Sequence, residues 1–313
     1  MESLNRLINE LLGNRDAWDY YRSLDLRDYS IDEVFRDPSY IISEYLRNGR
    51  KLSDTTDSYI KELSSGERLS HTLAVFFLGI ILYRKCDLIR TNIDNGIRLD
   101  NDDSRFSYYW FQICFFHDLG YCYEQSERDQ AFERVKSTIG RRSIFLQLPA
   151  KGIPNRISSN IKKYHQYRFE KWQKIDHGII GAKLYFHERC TEYYRRKKSK
   201  QEDTFRDEGR LWSKDILYKQ QLPVAWTIAA HNVFFTQWDD RSYSDYVKYE
   251  LNGLVIDNAV ISLTKYPLLY LLSLVDSIDP YKFISRKIPD ISCPEIFDKV
   301  ILEFTPRTVT ISL

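Results

Sequence analysis

Five stretches of this sequence repeat apolar residues at helical spacing, and each carries an imidazole or a carboxylate within its apolar run. They are Arg68 to Lys85 with His71, Phe106 to Tyr123 with His117 and Asp118, Asp176 to Arg196 with His177, Val224 to Phe235 with His231, and Pro267 to Ile278 with Asp276. Apolar faces this broad fold as helices packed on one another, so the expected class is all-α. The ionisable residues then point at a core, where such a group is costly unless it is hydrogen-bonded, paired or bound to a cation. A lone buried histidine is usually a satisfied core residue. Several helices each contributing one such group make a site for one or two metal ions. The adjacent residues His117 and Asp118 can serve one site only if the helix ends or bends there, and Gly120 supplies a break.

The flanks read differently. Residues 1–66 alternate short apolar-periodic segments with polar joints. Leu4, Leu7, Ile8 and Leu11 form one helical stripe, and Ile31 to Leu46 carries another. This is a helical N-terminal extension to a main domain over 67–285, followed by a C-terminal segment over 286–313. In that segment Val300 to Phe304 and Thr308 to Ser312 flank Thr305-Pro306-Arg307, the pattern of a small β-hairpin. Ser53 to Ser58 read as a loop. The polar stretches Asp87 to Ser104 and Arg195 to Arg210 read as connections, the second an exposed helix end and loop.

An apolar fraction of 43% supplies a core, and a net charge of +2 gives no global field for nucleic acid or an anionic membrane. The five cysteines lack C-x-x-C spacing, and Met1 to Arg6 lacks the basic-then-apolar pattern of a leader. The longest apolar run, Thr72 to Tyr83, is too short to span a bilayer. A cytoplasmic protein with reduced thiols and no membrane partner is therefore expected.

The order His71, then His117-Asp118, then Asp276 resembles that of the HD-domain metal-dependent phosphohydrolase superfamily, over residues 71–276. The resemblance implies an HD-type helical bundle in which His71, His117, Asp118 and Asp276 hold one divalent ion. It further implies that Asp118 bridges to a second ion held by His177 and His231, with Mn, Fe, Ni, Co, Mg or Zn as the metal. His117 and Asp118 are then the catalytic pair. The contexts Asp176-His177-Gly178 and Ala230-His231-Asn232 are similar to ligand contexts of that family. Many two-metal members, among them HD-GYP phosphodiesterases, CRISPR-associated HD nucleases and di-iron oxygenases, carry His-Asp-x-Gly-Lys. Here Tyr121 stands at the lysine position and offers a hydroxyl in place of a charge. The implied activity is hydrolysis of a phosphomonoester or phosphodiester by a metal-activated hydroxide. The same resemblance also admits a di-iron oxygenase, or a non-catalytic nucleotide-sensing or partner-binding domain.

The substrate side is sought just before His177. From Arg141 to Lys174 the chain carries Arg141, Arg142, Lys151, Arg156, Lys162, Lys163, Arg168, Lys171 and Lys174 with one acid, Glu170. Tyr164, Tyr167, Phe169 and Trp172 are interleaved. Cations suit phosphate and aromatic faces stack bases, so Tyr121, Lys162, Lys163, Arg168 and Lys171 are candidate contacts for a nucleotide, another phosphorylated small molecule or a single strand. A solvated basic helix face is the other reading of that stretch. Asp279 precedes Pro280 and is expected in a cap or turn, while His165 and His187 are expected at the surface.

Overall fold

The computed structural model describes residues 1–19, 24–48, 66–97, 105–124, 152–198, 217–233, 240–251, 261–284, 291–305 and 308–312. In chain order the helices are α1 (Leu4–Leu12), α2 (Ile31–Arg36), α3 (Pro38–Asn48), α4 (Gly66–Lys85), α5 (Asp87–Ile97), α6 (Arg105–His117) and α7 (Tyr121–Glu124). They continue with α8 (Asn155–Trp172), α9 (His177–Lys198), α10 (Leu222–Ala230), α11 (Asp240–Lys248), α12 (Pro267–Ile278), α13 (Pro280–Ile284) and α14 (Cys293–Lys299). Short strands β1 (Glu2–Ser3), β2 (Ile301–Phe304) and β3 (Val309–Ser312) complete an all-α fold with a small terminal sheet, the class expected. The loop expected over Ser53 to Ser58, the basic residues Arg141, Arg142 and Lys151, and most of the charged run after Arg195 lie outside the described residues.

The chain gathers into two compact units, Met1–Cys114 with Leu263–Leu313 and Phe115–Ser262. The first is built around α4, which is buried on every side from Leu69 to Leu82. A helix apolar all round belongs at the centre of a packed layer, and α1, α3, α5 and α12 pack against it. Its aromatic residues Phe76 and Phe77 meet Trp18, Tyr45 and Phe111 at ring separations from 5.2 to 6.0 Å. Trp110 donates its indole N–H to the Phe76 carbonyl at 3.0 Å, so its one polar atom is satisfied while the ring is wholly buried. Each such side chain removed from water contributes about 1.5–3 kcal/mol.

Two features of this unit depart from the sequence reading. The polar stretch starting at Asp87 is helical as far as Ile97, because Ile89, Ile93 and Ile97, four residues apart, form a buried stripe among the Asp and Asn residues. The hairpin forms as expected, with Leu302 opposite Ile311, but it gains a third strand: Glu2 and Ser3 pair antiparallel with Leu302 and Ile301. A two-residue strand is too short to show an alternating pattern.

The second unit packs α9 against α10, with α8 alongside α10 and a π-helical turn over Leu217–Gln221 leading into α10. The Tyr185 hydroxyl donates to Gln221 in that turn. Tyr164, Tyr167, Val233, Tyr246, Tyr249 and Leu251 form a buried cluster, so half of the α8 aromatics offered as base-stacking faces are core residues. Among the described residues no helix is long and apolar enough to cross a membrane.

Candidate metal centre

In the second unit the approach to the site begins where α6 stops at His117 and the chain turns through Asp118, Leu119 and Gly120. The Tyr121 N–H donates to the Asp118 carbonyl at 3.0 Å and the Glu124 N–H to the Gly120 carbonyl at 3.0 Å, which starts α7. The helix therefore ends where the adjacent pair requires it. Gly120 matters for a different reason from the expected one: its φ is not positive, and a Cβ there would lie 1.9 Å from the His177 carbonyl oxygen. The glycine supplies closeness, not an unusual turn.

His177 is held at the first turn of α9 by Asp176, whose Oδ1 accepts from the Gly178 N–H at 2.9 Å and the Ile179 N–H at 3.4 Å, an N-cap arrangement. Gly178 leaves room for the His231 ring, since a Cβ would lie 2.7 Å from it. His231 follows directly on α10.

These elements bring Asp118, His177 and His231 together, with ligand atoms all within 4.8 Å of one another. His177 Nε2 lies 3.7 Å and His117 Nε2 3.4 Å from Asp118 Oδ1. The His231 ring centroid is 5.4 Å from that of His117 and 5.3 Å from that of His177. His117, His231, His177 and Asp118 are all buried. Metal–ligand bonds of about 2.0–2.2 Å place neighbouring ligand atoms roughly 3 to 3.5 Å apart, so this donor set fits a divalent ion with a small closure.

The tautomers fit as well. His177 donates its Nδ1–H to Glu124 Oε2 at 2.9 Å, and His231 donates its Nδ1–H to the Ile228 carbonyl at 2.7 Å. Both rings thus present an Nε2 lone pair, the usual state of a ligating histidine held by an acceptor behind it. Asn232 Nδ2 donates to that Nε2 of His177 at 2.8 Å and lies 3.2 Å from Asp176 Oδ2. A cation on His177 would displace this amide. Tyr121 stacks on the His177 ring at 3.5 Å with an interplanar angle of 18°.

The first unit holds the other two expected ligands. His71 Nε2 lies 3.2 Å from Asp276 Oδ1, and its Nδ1 lies 2.6 Å from Asp279 Oδ2. Asp279 does take the expected turn role, its Oδ1 accepting from the Tyr281 N–H at 3.1 Å. Its second oxygen orients His71, which sequence reasoning missed. Burial, with the nearby acidic groups Cys293, Glu67 and Asp279, pushes the Tyr281 hydroxyl up to about 12, so it is a donor at neutral pH.

The substrate candidates on α8 have partners in their own unit. Arg168 pairs with Glu124 and lies over the Trp172 ring at 5.0 Å. Lys163 pairs with Glu250 at 2.5 Å and Lys171 with Asp245. Lys162 is exposed. Glu124 was missed too, although an acid six residues after Asp118 in an aromatic context (Tyr121-Cys122-Tyr123-Glu124) was a visible signal. Glu124→Ala removes the acceptor that fixes the His177 ring, and divalent-ion affinity measured by calorimetry is expected to fall by about 10–100-fold.

His187, expected at the surface, is buried in α9, and burial lowers its pKa despite the opposing charge of Glu188. The neutral ring is therefore favoured in the folded state, while the unfolded chain takes up a proton near 6.5. Its contribution to stability is intact above the unfolded value and is lost as pH falls towards the folded one. His187→Gln should flatten the fall in melting temperature as pH drops below about 6.5; an unchanged pH profile would refute this assignment. Comparison with family models, curated proteins and solved structures gives no match for this chain.

Proposed function

We propose that this protein is a divalent-metal-dependent phosphohydrolase that cleaves a phosphomonoester or phosphodiester bond of a nucleotide or oligonucleotide. The observation that carries the reading is the buried Asp118, His177 and His231 group, in which both imidazoles are backed at Nδ1 and present Nε2. Purely structural packing has no need to collect three metal-ligating side chains and fix two tautomers.

The order resembling the HD type adds His71 and Asp276 as ligands and His117 with Asp118 as the catalytic pair, as a sequence argument. Bound divalent ions would supply Lewis-acid charge for phosphate oxygens and acidify water near neutral pH. The chain's own residues do the rest. Asp118 brings the negative charge that a hard cation needs, and Glu124 and the Ile228 carbonyl keep His177 and His231 in the ligating tautomer. The Tyr121 hydroxyl can donate to a substrate oxygen. Exposed Lys162 on α8 would offer its charge to phosphate oxygens.

The test is a turnover screen of the full-length protein with Mn, Fe, Ni, Co, Mg or Zn against mononucleotides, cyclic dinucleotides and single-stranded oligonucleotides. Metal-dependent phosphate release or strand scission supports the reading. Oxygen consumption without hydrolysis, or no turnover with any metal, contradicts it.

A further inference from the structure

We infer that Lys282 is a resident counter-cation of Asp276, that a divalent ion displaces it, and that the displaced ammonium holds the anionic substrate. This rests on the metal-dependent reading above and names a substrate-side residue for it. Asp276 stands within the apolar helix α12 with its side chain 6% exposed, where an ionised carboxylate requires a positive partner. Its Oδ1 lies 3.2 Å from His71 Nε2 and 2.8 Å from Lys282 Nζ. The His71 Nδ1 edge is taken by Asp279, so Nε2 and Oδ1 are the adjacent pair of atoms that a cation would join. Lys282 is the cation beside Oδ1 here.

The two sides of this ion pair differ in freedom. Asp276 is fixed on α12, whereas the Lys282 side chain is 35% exposed and belongs to the short helix α13. An ammonium is a compact point charge with three donors on a flexible stem, and it can leave one anion for another without repacking anything. A doubly charged ion on Asp276 would repel Nζ and satisfy the carboxylate in its place. The side chain would then stay within its own length of the site, and phosphate oxygens are a natural target for a lysine ammonium. Lys282 thus couples the two events: it opposes metal entry and favours the anion that follows.

That coupling has a signature of opposite signs. Manganese alone, and then inorganic phosphate with manganese present, would be titrated calorimetrically into metal-free full-length protein as wild type, Lys282→Gln and Lys282→Arg. Lys282→Gln should bind manganese about three- to tenfold more tightly, the scale of a partly exposed ion pair. It should bind phosphate about tenfold more weakly, the scale of one charge-assisted contact. Lys282→Arg keeps the charge and should stay near wild type in both. Weaker binding of both ions by Lys282→Gln marks a structural ion pair and overturns the inference, as does an unchanged affinity for either. Failure of the wild type to bind manganese overturns the metal reading along with it, whereas the other two results overturn this inference alone.

Discussion

Asp118→Asn is expected to lower metal-dependent turnover on the order of a thousandfold while leaving the fold intact. Asp118 is the carboxylate of its group, and its Oδ1 lies within 3.4 Å of His117 Nε2 and 3.7 Å of His177 Nε2. Asparagine keeps the shape but removes the charge, leaving neutral donors that hold a hard cation poorly. Losing a group that acts as part of a catalytic unit costs activity in this range. The fold should survive, because the Asp118 carbonyl that accepts from Tyr121 is backbone and is unaffected. Turnover and thermal melting measured on the same preparation separate the two effects. Activity within tenfold of wild type, or a collapse of the melting transition, would remove Asp118 from the role given to it.

Gly120→Ala should be among the most damaging single-methyl changes in the second unit. The new Cβ would lie 1.9 Å from the His177 carbonyl oxygen, 2.6 Å from its carbonyl carbon and 2.7 Å from its Cα. All three are backbone atoms, so no flexible side chain can yield, and the start of α9 must move. Forced overpacking of this kind costs on the order of 3 kcal/mol. It also carries His177 away from Glu124 and Asp118, so metal affinity should fall with stability. Gly13→Ala is the control: its φ is −67° and the nearest atoms to a Cβ lie at 3.7 Å. Melting of the two variants side by side decides the matter, and equal melting temperatures would show that the close approach at Gly120 is not limiting.

Much of this architecture was legible in the chain. Broad apolar periodicity gave the helices around His71, His117, His177, His231 and Asp276, and the same residues prove to be buried. What stayed hidden depends on partners distant in sequence. His71 takes an acceptor 208 residues away and His177 one 53 residues away. No periodicity signals such pairings. Arg168 shows the same limit from the other side. A cation among aromatics reads as a phosphate contact until its carboxylate partner, Glu124, is placed beside it. The stripe of Ile89, Ile93 and Ile97 was present in the sequence, but the surrounding Asp and Asn residues outweighed it. The role of Gly120 could not be read locally, because the atom that excludes a side chain belongs to His177.

The most direct measurement is the metal content of the purified full-length protein, by elemental analysis after incubation with manganese and removal of free ion. The wild type should retain manganese in stoichiometric amount, and His177→Ala combined with Asp118→Ala should retain much less. A wild type that retains no divalent metal, or a double variant that retains as much as the wild type, would contradict the proposal that these buried side chains form a metal site.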